Sequence, residues 1–252
     1  MSAATTAVAT AAATVWRPAE GAAQRGTVVL LPGRGENPAV YQRFGRRLAA
    51  DGYLVHALDL GAEPAPGAVS AALAELAPES PAPVVLAGSD TGALHALAAV
   101  GTGGGRPDGL LLAALPLDPA AAAPADWEDE LAARTACPAH RGTLAADPGF
   151  TRGGFGKPVA AGLLHQVSTA PEQRLPVLVL HGGADPLAPA DAVRRFAAGL
   201  PSATLVLVED GRHDVLNDAS HRSVAAQIVQ WLERLRGGPA LPRVLTVEEP
   251  PR

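Results

Sequence analysis

Short apolar runs alternate with amphipathic stretches along most of the chain. The runs predict buried strands, and the stretches with apolar residues at helical spacing predict helices. Strands are expected at 27–31, 53–60, 83–87, 109–115, 175–180 and 203–208, and helices at 40–51, 69–76, 92–100 and 224–235. This alternation predicts an α/β fold, a mostly parallel sheet with helices on both faces. Ligands in such folds bind at the carboxyl ends of the strands.

One segment of the chain, 116–174, is too long for an ordinary connection between two strands. We expect it to be a partly helical lid inserted in a single domain that spans 1–252. The tail at 237–252 is rich in proline and is expected to pack loosely. The Ala- and Thr-rich start carries no basic residue before Arg17 and is only weakly apolar, unlike a signal peptide.

The composition narrows the class of protein. Hydrophobic residues make up 48% of the 252 residues and charged residues 18%, which argues against disorder. The net charge of −5 without a basic stripe argues against nucleic-acid binding. No apolar run is long enough to span a bilayer, so we expect a cytoplasmic protein with no membrane partner. The single lysine and abundant Ala, Gly and Pro suggest a high-GC bacterial source, and a homo-oligomer stays open.

The most informative motif follows the third predicted strand. Gly88-Ser89-Asp90-Thr91-Gly92 stands where a strand would turn into a helix, as in the G-x-nucleophile-x-G elbow. The flanking glycines allow a tight turn that projects the central side chain. That side chain is usually serine and here is Asp90. Ser89 lies one position early, where an elbow residue normally points aside.

Two further candidates follow the next strand ends in the order nucleophile, acid, histidine. Asp185 comes after the fifth predicted strand and His213 after the sixth. This order is that of α/β-hydrolases, and three matches at strand ends are more specific than any one alone. Asp214 is the nearest rival of Asp185. We disfavour it because it would have to fold back onto the adjacent ring.

Two segments resemble the monoacylglycerol lipase and lysophospholipase branch of the α/β-hydrolases. The first, 31–53, matches that branch's HGxGE turn and following helix, and the second, 213–218, matches its H-E-x-L-N-E motif. The resemblance implies an α/β-hydrolase fold with a lid, and an oxyanion hole of the backbone N–H groups of Arg34 and Thr91. Pro32 replaces the motif's His, residues 59–62 lack the branch's GHG, and Asp90 replaces its Ser.

An aspartate at the elbow changes the expected chemistry. A carboxylate is ionised at neutral pH and needs no base to attack a carbon that bears a leaving group. We therefore expect a hydrolase of a small, mostly apolar substrate that uses Asp90, His213 and Asp185. The alternatives are an ester or lactone hydrolase with Asp90 as a base on water, and a non-hydrolytic biosynthetic or binding protein.

The candidate substrate-binding residues are Arg34 near the elbow and Trp127, Arg134 and His140 in the predicted lid. Arg134, Cys137, His140 and Arg141 form a polar cluster in sequence. Such a cluster either binds substrate or holds the lid together, because buried polar groups usually satisfy each other. Cys137 and His140 have no further partners for a metal site, and we expect neither a metal nor a cofactor.

Overall fold

The central feature of the structure, a computed structural model, is one seven-stranded sheet. The structure describes residues 12–61, 63–65, 67–100, 106–117, 123–168 and 174–246. The strand order is β1-β3-β2-β4-β5-β6-β7, and only β1 runs antiparallel to its neighbour. The strands are β1 (Ala12–Trp16), β2 (Gly26–Leu31), β3 (Tyr53–Asp59), β4 (Val84–Ser89), β5 (Gly109–Ala113), β6 (Val177–Gly182) and β7 (Ala203–Val208).

Eight α-helices cover the two faces of this sheet within the described residues. They are α1 (Gln42–Ala50), α2 (Ala68–Leu76), α3 (Thr91–Val100), α4 (Trp127–Arg134), α5 (Pro138–Ala146), α6 (Ala161–Ser168), α7 (Ala190–Ala198) and α8 (His221–Arg236). Apolar side chains of α1 and α8 pack on one face, and those of α2, α3, α6 and α7 on the other. The strands between are buried on both faces, which explains their continuous apolar runs.

The predicted α/β class and its parallel sheet are confirmed, and each predicted strand and helix is present with shifts of a few residues at its ends. Two elements were missed. The first is β1, which pairs with β3 at the edge of the sheet. Trp16 packs so closely on Gly45 of α1 that a Cβ there would lie 2.2 Å from the indole. The second is α7, a helix of nine residues that begins directly after Pro189.

The long segment between β5 and β6 contains three helices, α4, α5 and α6. Asp126 begins α4 by accepting a hydrogen bond from the N–H of Asp129, 2.9 Å away. The helical content agrees with the expectation, and the role of this segment as a lid stays a prediction. Within the described part of the chain, no helix is both long enough and apolar enough to cross a membrane.

The beginning of the tail folds back on α8. Arg234 donates from Nη2 to the carbonyl of Leu241 over 2.8 Å. Leu241 packs against the core, whereas Val244 and Leu245 are exposed. The first residues of the predicted loose tail thus contact α8, and the loose packing of the rest stays a prediction, since residues 247–252 lie outside the described part of the chain.

Candidate active site

The elbow at the end of β4 holds Asp90 in a strained backbone conformation. Asp90 has a φ of 51°, in the left-handed region that an L-residue seldom adopts. The turn is tight because the glycines on either side allow close contact. A Cβ on Gly88 would lie 2.3 Å from backbone atoms of Gly92, and one on Gly92 would lie 2.2 Å from the carbonyl of Leu31. The glycine spacing of the motif is therefore a steric requirement of this strand-to-helix turn.

Asp185 and His213 come together at the carboxyl ends of β6 and β7. Oδ2 of Asp185 lies 2.8 Å from Nδ1 of His213, and both side chains are buried. The backbone N–H groups of Leu187 and Ala188 donate to Oδ1 of Asp185, which fixes the carboxylate. Asp214 faces away from this ring and contacts other groups. The geometry is thus that of an acid orienting an imidazole.

The other ring nitrogen of His213 faces the elbow. Nε2 lies 3.4 Å from Oδ1 of Asp90, a distance beyond a well-formed hydrogen bond. Phe155 packs edge-on against the imidazole, with the ring centroids 5.0 Å apart. The structure therefore brings together Asp90, His213 and Asp185, the three residues that the sequence selected from three separate strand ends.

Arg34 holds the carboxylate of Asp90 more tightly than His213 does. Its guanidinium donates from Nε to Oδ2 over 2.8 Å and from Nη2 to Oδ1 over 2.9 Å. Its backbone N–H also donates to Oδ2, at 2.9 Å. The Asp90 side chain is 2% exposed and that of Arg34 16%. Asp90 thus carries a bidentate, charge-assisted pair at the opening of the site.

Burial and charge together set the ionisation of these groups. Burial alone lowers the pKa of His213, but Asp185 and Asp90 outweigh it and raise that pKa to about 10. Burial raises the pKa of Asp90, but His213 and Arg34 hold it well below its usual range. At neutral pH the resting site therefore contains an imidazolium that faces an ionised Asp90, whose charge Arg34 also matches.

The turn that carries Arg34 is fixed by Glu36. The N–H of Gly33 donates to Oε2 of Glu36 over 2.8 Å, and the hydroxyl of Tyr41 donates to the same oxygen. This arrangement holds the Arg34 N–H against the elbow. Sequence reasoning quoted Glu36 only as part of the turn motif and gave it no role.

The second predicted oxyanion-hole residue, Thr91, begins α3. The first N–H groups of a helix have no partner within it, so the Thr91 N–H is available to a developing negative charge. The Arg34 N–H, by contrast, already has an acceptor in Oδ2 of Asp90. Oδ2 of Asp90 therefore accepts a hydrogen bond from one of the two N–H groups that were predicted to form the oxyanion hole.

Arg134 lies at the centre of a buried ionic cluster between α4 and the sheet. Its guanidinium is 0% exposed and lies within 4 Å of Glu36, Glu130 and Asp214. His140 joins the cluster through Nε2, which lies 3.1 Å from Asp214. Burial and Asp214 raise the pKa of Glu36 to about 7. The sequence left two roles open for Arg134 and His140, substrate binding and holding the predicted lid together, and these contacts favour the second.

The remaining sequence candidates contact groups other than Asp90. Trp127 packs against Phe150 at 5.6 Å and beneath the guanidinium of Arg152 at 4.5 Å. Cys137 is buried and faces Arg43, which donates to its sulfur at 3.5 Å. Arg141 donates to the carbonyl of Thr135. Across the described residues, no group of three His, Cys, Asp or Glu side chains is placed to hold a metal ion.

Both the sequence and the fold of this chain resemble known proteins. Residues 124–220 match the protein family described as serine aminopeptidase, S33. None of the curated proteins matches the sequence significantly. The structure resembles a monoacylglycerol lipase of Paleococcus ferrophilus, with a TM-score of 0.68 and 18% identity over 88% of this chain and 98% of that one.

Two further solved structures show the same likeness. A monoglyceride lipase variant of Saccharomyces cerevisiae has a TM-score of 0.67 and 17% identity over 88% of this chain and 91% of that one. An esterase of Thermogutta terrifontis has a TM-score of 0.62 and 19% identity over 89% and 93%. The chain therefore has the α/β-hydrolase fold, as the sequence predicts.

Proposed function

We propose, from the α/β-hydrolase fold that this chain has, that it hydrolyses a small, mostly apolar substrate through a covalent intermediate on Asp90. The observation that carries the proposal is that His213 lies between Asp90, at the strained elbow, and Asp185. His213 is within 3.4 Å of one carboxylate and 2.8 Å of the other. In this proposal Asp90 is the nucleophile, His213 the base in the second step, and Asp185 the residue that orients it.

In the first step, Oδ1 of Asp90 attacks a saturated carbon, and the leaving group departs with the electrons of the broken bond. An ester between Asp90 and the substrate carbon results. No proton has to be removed from the nucleophile, because the low pKa of Asp90 keeps it ionised. Oδ1 is the reacting oxygen because Oδ2 is the one bound by the backbone N–H of Arg34.

In the second step, water attacks the carbonyl carbon of the Asp90 ester, and His213 takes one proton from this water. The ester bond then breaks, and the departing alkoxide takes the second proton of the attacking water, so that an alcohol leaves and the carboxylate re-forms. The Arg34 N–H, already on Oδ2, then stabilises the negative charge that develops on that oxygen. The N–H of Thr91 is the second donor in this proposal.

The two steps require different protonation states of His213, and the charge on Asp90 supplies the change. While Asp90 is ionised, it helps raise the pKa of His213 to about 10. Once Asp90 is a neutral ester, that contribution is lost and the pKa of His213 falls. The imidazole can then lose its proton and act as a base at neutral pH. Formation of the ester intermediate therefore makes His213 available as the base that hydrolysis of this ester requires.

The alternative in which Asp90 acts as a base on water is less well supported. A general base works best when its pKa lies near the operating pH. The pKa of Asp90 is instead held well below its usual range by His213 and Arg34. A group this weakly basic removes a proton from water poorly, whereas attack at carbon needs only the ionised oxygen.

The decisive experiment traps the covalent intermediate. In His213→Gln the first step should proceed and the second should stop, so the peptide that contains Asp90 should gain the mass of the alkyl group. Mass spectrometry after incubation with alkyl halides and epoxides measures this gain. Asp90→Asn is the control and should acquire no adduct, because a neutral amide is a poor nucleophile.

A second variant tests whether the rest of the site supports catalysis when a different nucleophile stands at the elbow. Asp90→Ser restores a serine elbow beside an existing His and acid, so it should gain hydrolysis of aryl esters. Full turnover by Asp90→Asn would refute the covalent mechanism. A complete lack of adduct with ester, epoxide and halide panels would favour a non-hydrolytic or binding protein on this fold.

A further inference from the structure

The Arg34 guanidinium closes the face of Asp90 that the proposed reaction must use. It bonds both carboxylate oxygens, while its Nη1 donates to the carbonyl of Lys157 over 3.1 Å. Its Cζ lies 4.9 Å from the ring centroid of Phe155. Oδ2 of Asp90 thus faces the backbone N–H and Nε of Arg34, and Oδ1 faces Nη2 of Arg34 and Nε2 of His213. Attack therefore requires the guanidinium to leave.

The backbone and the side chain of Arg34 differ in how firmly they are held. Arg134 donates to the Arg34 carbonyl over 2.7 Å, and the N–H of Thr151 donates to the Gly35 carbonyl over 2.8 Å. These bonds fix the backbone N–H that supports the second step. The guanidinium, by contrast, is held by Asp90, one carbonyl and one aromatic ring, and its side chain is partly exposed. It can therefore withdraw without moving the turn.

Withdrawal of the Arg34 guanidinium from Asp90 is unfavourable if no other anion takes the place of Asp90 on it. Removing one partner from a buried ion pair leaves an uncompensated charge on the other. A neutral substrate would leave the Arg34 guanidinium without an anion and Asp90 with His213 as its one facing cation. A substrate that carries an anion can instead take the place of Asp90 on the guanidinium, which keeps Arg34 paired while His213 still faces the freed carboxylate.

We propose that the substrate is a short carboxylic acid whose carboxylate replaces Asp90 on the Arg34 guanidinium, with the leaving group on a carbon close to that carboxylate. This rests on the proposed covalent function and narrows its substrate class. The planar fork of arginine matches a carboxylate in two parallel hydrogen bonds, as it does with Asp90 here. The exchange places the substrate carbon beside Oδ1, since both carboxylates use the same donors in turn.

The chemistry balances with water as the only co-reactant. Oδ1 forms a bond to the substrate carbon as the bond to the leaving group breaks, and the leaving group takes the electron pair. Water then splits the ester, His213 takes its proton, and a hydroxy acid leaves with the carboxylate of Asp90 restored. For a haloacid the products are the hydroxy acid, halide and one proton.

The test compares two probes that share a reacting carbon and differ in charge, 2-bromopropanoate and 2-bromopropanamide. Adduct formation on Asp90 is followed by mass spectrometry in His213→Gln, with rates corrected for reaction of each probe with free acetate. The same comparison is made after adding Arg34→Met, which keeps the length of the side chain and removes its charge. Arg152→Met is the matched control, because Arg152 lies over Trp127 and not over Asp90.

We expect 2-bromopropanoate to react about 100-fold faster than the amide, equal to about 2.8 kcal/mol at 1.4 kcal/mol per factor of ten. Arg34→Met should reduce the ratio to near one, and Arg152→Met should leave it unchanged. Binding provides a readout without reaction. Isobutyrate should perturb the NMR signals of the elbow in the otherwise unmodified protein and in Arg152→Met, but not in Arg34→Met, whereas isobutyramide should perturb none of them.

The outcomes separate this proposal from the one on which it rests. An adduct that forms equally fast with both probes would keep Asp90 as the nucleophile and overturn the carboxylate-bearing substrate. Arg34-dependent binding of isobutyrate without any adduct would support the anion site and overturn the covalent mechanism. Neither binding nor an adduct would overturn both.

Discussion

The charge on Asp90 should control the pKa of His213, and Asp90→Asn tests this directly. The variant removes the negative charge that faces Nε2 at 3.4 Å, yet it keeps the shape of the side chain. It also reproduces the charge of the proposed ester intermediate. A protein that uses the covalent mechanism must have a base available in this state.

The expected magnitude follows from Coulomb's law. Two unit charges 3.4 Å apart interact by about 5 kcal/mol at an effective dielectric constant of about 20. Relaxation around the site and the bonds that Asp90 shares with Arg34 reduce this to roughly half. Since one pKa unit corresponds to about 1.4 kcal/mol, the pKa of His213 should fall by about two units from its value of about 10.

The assay is an NMR titration of the histidine ring nitrogens in protein labelled with nitrogen-15. The signal of His213 is assigned by its loss in His213→Gln. Asp191→Asn is the control, because Asp191 is exposed and pairs with Arg194, so its loss should leave the pKa of His213 unchanged. A pKa in Asp90→Asn within half a unit of that in the unmodified protein would refute the coupling and the order of steps built on it.

Three further results are expected. Asp185→Asn should slow release of the covalent intermediate by about a thousandfold or more, seen in single-turnover kinetics, because the acid no longer orients His213. Arg134→Met should cost about 3–5 kcal/mol in urea unfolding, since it leaves three buried carboxylates without their cation. A smaller loss would mean that these groups share protons instead. Gly92→Ala should cost about 2 kcal/mol or more, because its Cβ would lie 2.2 Å from the Leu31 carbonyl.

The ionisation of the site also predicts how stability depends on pH. The folded-state pKa of His213, about 10, lies above its ordinary value of 6.5. Its contribution to stability is therefore complete below about pH 6.5 and is lost as the pH rises towards 10. Thermal unfolding from pH 6 to 10 should show this decline in the unmodified protein, and His213→Gln should show a shallower one.

Much of the fold could be predicted because the relevant signals are local. The apolar runs that became β2, β4 and β6 are buried on both faces, so their sequence needs no partner to be recognised. The first strand was missed for the opposite reason. It is an edge strand whose Trp16 is stabilised by contact with Gly45, 29 positions away in sequence, and no local pattern reports such a contact.

In the candidate site, too, some features could be predicted from the local sequence and others could not. Sequence alone determined that an elbow aspartate, an acid and a histidine each follow a predicted strand, and they were expected to meet because parallel strands bring their carboxyl ends to one edge of the sheet. Only the tertiary structure decided which groups each of them contacts. Asp214 faces Arg134 and His140 instead of the ring of His213, because the backbone direction after β7 points the two adjacent side chains apart.

Sequence reasoning selected Arg34 as a substrate-binding candidate but did not show its contact with Asp90. An arginine in a glycine-rich turn is most often solvated, and nothing in the local pattern shows that its side chain reaches a residue 56 positions later. The approach of the turn after β2 to the elbow after β4 decides that contact, since the two strands are neighbours in the sheet. Sequence thus determined which chemical groups are present at the edge, and folding determined that a cation covers the proposed nucleophile.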